Sequence, residues 1–178
     1  MVLLRRPAVL IGLAVAAVLV VAGLAVFQPW KLFVDRTVDE ALPTVAAPAA
    51  PAPEAPAVTG PVELARGELI SHEHASSGSV VVLELPDGSR VLRLEDLDTS
   101  DGPLLKVWLT DAPVIEGPDG WYVFDDGAHV DLGELKGNIG SSNYPVPADA
   151  DLDALTGVSI WCDRFDVSFA AAELRPVA

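Results

Sequence analysis

The chain has 178 residues, 51% of them hydrophobic, with 11 Lys plus Arg against 26 Asp plus Glu, one Cys and one Met. It is too apolar for a disordered acidic tail and long enough for one ordinary domain plus an appendage. A single Cys excludes an intramolecular disulfide framework, and a net charge of -15 removes nucleic acid from the partners, because phosphate binding needs a basic patch.

Ala8 to Phe27 runs 20 residues without a charge, and only Gly12 and Gly23 fall outside the apolar set. As a helix it reaches about 30 Å, enough to cross a bilayer core, so residues 8–27 are expected to meet lipid. Arg5 and Arg6 precede the run. The positive-inside rule then keeps residues 1–7 cytoplasmic and places everything after Phe27 outside the plasma membrane, a single-pass topology. A cleaved signal peptide is the competing reading, but its apolar stretch is usually about 7 to 15 residues and ends in a small-residue site. Gln28, Pro29 and Trp30 follow here instead, which favours an uncleaved anchor.

In the juxtamembrane segment 28–40, Trp30, Phe33, Val34 and Val38 recur at helical spacing among Lys31, Asp35, Arg36, Asp39 and Glu40. That pattern predicts a short helix at the membrane surface or a continuation of the membrane helix. Residues 41–62 hold six Pro and eight Ala, a linker that cannot form a core. Extended, it could reach about 70 Å and lift the following domain off the membrane. Acids and bases balance up to Val62, so residues 63–178 carry the whole net charge.

Turn signals punctuate that outer domain at short intervals: Pro86-Asp87-Gly88, Asp101-Gly102-Pro103, Gly117-Pro118-Asp119-Gly120 and Asp125-Asp126-Gly127. Ser79–Leu85 and Arg90–Leu94 read as a hairpin across the first of them. Leu105, Val107 and Leu109 share one face of a third strand, with Lys106, Trp108 and Thr110 on the other. Trp121–Phe124 and Ala128–Leu132 flank a further Asp-Gly turn, Asp151–Leu155 reads as one helical turn, and Val158–Asp163 and Asp166–Ala170 close the chain. The spacing predicts an all-β, antiparallel sandwich or small barrel behind one transmembrane helix.

On a regular strand Val158, Ile160 and Cys162 point into one apolar layer. Cys162 therefore reads as an inert core thiol, as a redox or cofactor thiolate, or as half of an intermolecular disulfide, since an odd Cys outside the membrane meets oxidants. Arg164 lies on the same strand face and would favour the thiolate if the two side chains meet. His72 and His74 share a face if their segment is a strand. With Cys162 they form a candidate haem or metal ligand set, although His72 beside Ser76 and Ser77 reads more simply as a solvated strand end. Met1 lies across the membrane from the domain, which excludes a methionine axial ligand.

Asp149, Asp151 and Asp153 begin like a calcium loop, but Ala154 and Ile160 stand where the turn Gly and the bidentate Glu belong. Glu95, Asp96, Asp98 and Asp101 read as weak calcium ligands or a solvated acidic loop. No hydrolase or nucleotide-binding motif is present, which gives a stand-alone enzyme no support.

The order of several segments resembles the DM-13 domain, an extracytoplasmic module labelled as electron transfer and found beside DOMON domains in animals and alone, membrane-anchored, in bacteria. The matching residues include Gly67-Glu68-Leu69, His74-Ala75-Ser76-Ser77-Gly78, Leu92-Arg93-Leu94-Glu95-Asp96-Leu97 and Gly102-Pro103-Leu104-Leu105-Lys106-Val107-Trp108-Leu109. They continue through Leu132-Gly133-Glu134-Leu135-Lys136-Gly137-Asn138-Ile139-Gly140, Asn143-Tyr144-Pro145-Val146-Pro147 and the closing Trp161-Cys162-Asp163-Arg164-Phe165 with Phe169-Ala170-Ala171-Ala172. Leu104 stands where the family commonly has an acid after Gly-Pro.

The resemblance implies an all-β fold and a signature Cys proposed for redox chemistry, as a bare thiol or a haem ligand. That carries over to Cys162 as a candidate redox residue, with His74 at the family's His position as a second candidate ligand. The expected role is an accessory redox or electron-transfer module with a redox protein partner, haem as a candidate cofactor, and a Cys162-linked dimer as another outcome. The rival is a non-catalytic surface binding or structural module with a buried, inert Cys.

Overall fold

A computed structural model describes residues 7–43 and 60–177. The residues before Pro7, expected to be cytoplasmic, and most of the Pro/Ala-rich stretch, 44–59, lie outside the described residues. Pro7–Phe27 forms one helix (α1). Pro fits its first turn because an N–H there would have no intrahelical partner. The helix buries none of its apolar side chains against protein, and it is long and apolar enough to cross a membrane.

The expected helix over residues 30–40 does not form. A left-handed Gln28 and Pro29 end α1, a single 3-10 turn spans Pro29–Phe33, and the chain then extends into a three-residue strand, Thr37–Asp39 (β1). The apolar residues in helical register there serve a surface turn and a sheet edge instead of one helix face.

The strands that follow are Val62–Glu68 (β2), Ile70–Ser71 (β3), Ser77–Glu84 (β4), Arg90–Asp98 (β5), Leu105–Thr110 (β6), His129–Glu134 (β7), Ile139–Val146 (β8), Gly157–Cys162 (β9), Val167–Glu173 (β10) and Arg175–Pro176 (β11). They make two sheets, ordered β1-β8-β5-β4-β2-β11 and β3-β10-β9-β6-β7. Every pairing is antiparallel except β1 with β8. The fold is a β-sandwich behind one apolar helix.

Between the sheets lie Val80, Val82, Leu92 and Leu94 of the first, facing Leu105, Val107, Leu109, Val158, Ile160, Cys162 and Phe169 of the second. Alternation puts one residue in two on this layer, and each fully buried aliphatic stabilises it by about 1.5–3 kcal/mol. The hairpin β4–β5, strand β6 and the pair β9–β10 match the sequence pattern closely. Trp121–Phe124, expected as a strand, is loop. Phe124 there is fully buried in a second cluster with Trp108, Trp161 and Ala171, on the outer face of the second sheet. The connection between β6 and β7 covers that face, which is why β9 is buried on both sides.

Strand β1 is held by a platform in the segment 137–140. A Cβ at Gly140, whose φ is +99°, would collide with the Val38 carbonyl, and one at Gly137 with the Arg36 carbonyl. Asn138 between them is fully buried. Its Oδ1 accepts the Arg36 N–H at 2.7 Å, and its Nδ2 donates to Thr99 O at 2.7 Å and to Asp35 Oδ1 at 3.0 Å. One amide thus ties the segment leaving α1 to the loop after β5.

Candidate functional site

Cys162 ends the central strand of the second sheet, flanked across the strands by Leu105 and Val167. Its residue exposure is 0%. The Sγ–H donates to the Pro103 carbonyl oxygen at 3.3 Å. Burial pushes the thiol's pKa up; Glu73 and Asp163 add to that, while the backbone N–H groups of Arg164 and Phe165 oppose it. The resting thiol is therefore protonated at neutral pH. Arg164 falls in the turn past the strand end, so it acts on the sulfur through its backbone N–H and not through a guanidinium contact.

The loop over the sulfur is 99–104. Asp101 is buried with its carboxylate accepting from Arg36 Nε and Nη2, each at 3.1 Å, and from the Gly102 N–H at 2.8 Å. Lys31 Nζ donates to Gly102 O at 3.1 Å. Asp101 is thus neither a solvated acid nor a free calcium ligand. Glu95, from the same acidic stretch, accepts from Arg66 and Arg93. Leu104 holds φ +56°, a left-handed conformation that costs a non-glycine residue about 1–2 kcal/mol, and its carbonyl accepts the Asp163 N–H at 3.1 Å.

His74 belongs to the same end of the sandwich. Ser76 Oγ donates to His74 O at 3.1 Å and lies 2.7 Å from Thr99 Oγ1. The His74 ring lies on Phe169 with centroids 3.9 Å apart, and burial pushes its pKa down. His72 does not join it, because β3 ends at Ser71 and the chain bends. His72 is buried, not solvated; its ring packs 5.7 Å from Phe124, and Nε2 donates to Ile115 O at 3.1 Å. Burial lowers its pKa as well. The two imidazoles, two residues apart in sequence, face different clusters.

Among the described residues no group of three or more His, Cys, Asp or Glu side chains converges as a metal site. Nor does the donor set fit a haem. The Cys162 sulfur has no open face, its layer is filled by aliphatic side chains, and the His74 ring is laid against Phe169.

The sequence pattern gave no warning of three participants: Asn138, the Arg36–Asp101 pair, and the stack of His129 on Trp108 (4.0 Å) and Trp108 on Trp161 (5.1 Å). Only the Gly-Asn-Ile-Gly spacing at 137–140 hints at the first, through glycines that permit close backbone approach.

A family model described as "Electron transfer DM13" matches residues 68–174. Neither the curated proteins nor the solved structures contain a match to this chain. The matched span runs from the last residue of β2 to just past β10, and leaves β1 outside.

Proposed function

The chain belongs to the electron-transfer DM13 family, and from that membership we propose that it is a single-pass membrane protein whose extracytoplasmic sandwich is an accessory redox module centred on Cys162. Arg5 and Arg6 before an uncharged, unburied helix support the orientation. The observation that carries the redox role is the position of the sulfur. It sits at a strand end, beneath a loop whose Pro103 carbonyl is its hydrogen-bond partner and whose Leu104 is strained. Lifting that loop exposes and hydrates the thiol and lets it ionise. A lone thiolate can then attack a disulfide of a redox protein partner, forming a mixed disulfide as the partner's S–S bond breaks and its other sulfur leaves as a thiolate. A Cys162–Cys162 dimer needs the same opening in two copies. His74, whose ring lies on Phe169 and whose carbonyl accepts from Ser76 beside Thr99, is the imidazole proposed at this end of the sandwich.

The complete burial and raised pKa of Cys162 favour a second reading, a structural or binding module with an inert thiol. Thiol modification of the folded full chain in detergent separates them. The redox reading expects slow native-state reaction that quickens in Arg36→Gln, which loosens Asp101 and with it the 99–104 loop. A thiol that reacts only at denaturant concentrations that unfold the domain, in both proteins, makes the Cys structural.

A further inference from the structure

Resting on the membrane reading above, we infer that the Cys162 end of the sandwich is a bilayer-docking face that lies on the surface of the membrane crossed by α1. The first support is continuity. Phe27, the last residue of α1, stacks on Phe165 in the turn after Cys162, with ring centroids 5.8 Å apart and an interplanar angle of 13°. Four residues further on, Lys31 bonds Gly102 O, and Arg36 forks onto Asp101. Ten residues after the helix, the chain is already paired in the first sheet. The domain thus begins within one short turn of the helix end.

The second support is what that end exposes. Phe33 is 85% exposed, Phe165 44% and Leu104 38%, with Trp30 and Leu32 also open. These side chains come from the 3-10 turn, the 99–104 loop and the 162–166 turn, three segments far apart in sequence that meet beside the helix end. Large apolar groups gathered with an interfacial Trp and a Lys suit the headgroup boundary of a bilayer, and would be an aggregation hazard in water.

The third support concerns the Pro/Ala-rich stretch. Strand β1 precedes it and strand β2 follows it, both in the first sheet, with β8, β5 and β4 between them. Its two ends are therefore fixed about 20 Å apart by four strand spacings. However long the intervening chain, it is a connection within one sheet and adds no height between membrane and domain. The expectation of a stalk gives way to a sandwich seated on lipid, with the end that holds the thiol turned toward the bilayer. A redox partner of Cys162 then meets it at the membrane surface.

The test uses the full chain in phosphatidylcholine nanodiscs made with radiolabelled lipid, with p-benzoylphenylalanine placed singly at Phe165, at Leu104 or at Asp87. Asp87 is in the β4–β5 turn, about 30 Å away along the nine residues of β5. Illumination is expected to give a lipid adduct at 165 and at 104, and its loss at 87. Using two sites on the docking face protects against local misfolding at either. Equal lipid labelling at all three sites, or none at 165 and 104 in a chain that resists alkaline carbonate extraction, overturns the docking and leaves the membrane span standing. Release by carbonate instead overturns the span, and the docking with it.

Discussion

The two ends of the sandwich are closed by different physics. At the end that carries Cys162, buried polar groups do the work: Asn138 bridges Asp35, Arg36 and Thr99, and Asp101 takes both arms of Arg36. At the opposite end Ala150 and Leu155 finish the apolar layer. A half-buried Arg90 reaches Pro147 O, Ala148 O and Ala150 O, each at 2.9 Å. Apolar closure needs only the right volume and tolerates many sequences. A buried amide with its partners fixed accepts one chain in one register, because each group left unpaired costs about 1–3 kcal/mol. The difference explains how a three-residue strand outside the family-matched region can be held in place.

The comparison is broken most severely at Asn138. Asn138→Ala strands the Thr99 carbonyl and the Arg36 N–H and is expected to cost about 2–4 kcal/mol. In urea the midpoint should fall at unchanged slope; an unchanged midpoint would mean that water satisfies these groups and that β1 is not held by them. Cys162→Ser comes next. The hydroxyl keeps the donor to Pro103 O, yet it puts a more polar group into an aliphatic layer, at about 1–3 kcal/mol. Equal stability of the two proteins would show that the sulfur is more hydrated than its burial indicates.

A smaller, pH-dependent effect belongs to the histidines. Burial lowers the pKa of His72 and of His74. The unfolded chain therefore binds more protons below about pH 6.5. Their contribution to stability is present above that value and is lost as pH falls through it. Urea midpoints between about pH 7.5 and 5.5 should drop, and His72→Gln should flatten the slope. The raised pKa of Cys162 acts in the other direction: its contribution is present below the ordinary thiol range and is lost as pH rises through the folded value. The smallest effect is expected at the far end. Asp87 there accepts the Ser89 N–H and Oγ–H at the exposed turn, and Asp87→Ala should move the midpoint least. A drop as large as that of Asn138→Ala would erase the distinction between the two ends.

Local pattern made much of this fold legible. The two-residue period of Leu105, Val107 and Leu109 and of Val158, Ile160 and Cys162 separates an inward face from an outward one, so the inward aim of Cys162 is readable from its neighbours alone. The same alternation could not reveal that Trp161, facing outward, is just as buried, because the cover comes from Phe124 on a distant connection. His72 and His74 failed as a pair for a related reason: the two-residue period holds only while the strand lasts, and it stops at Ser71.

The sequence by itself determined an uncharged helix long enough to span a bilayer, an acidic domain of short antiparallel strands, the family, and one Cys on an inward face. Those properties follow from composition and from periods of two to four residues, which near neighbours set. Tertiary structure decided the rest. It paired residues 37–39 with a strand a hundred positions later, put Asp101 under Arg36, and sealed the sulfur beneath Pro103. Each of those depends on which surfaces meet across long sequence separations, where no repeat in the chain carries the information. The linker reading turned on the same point, since proline-rich composition sets how a segment extends but not whether its two ends are tied to one sheet.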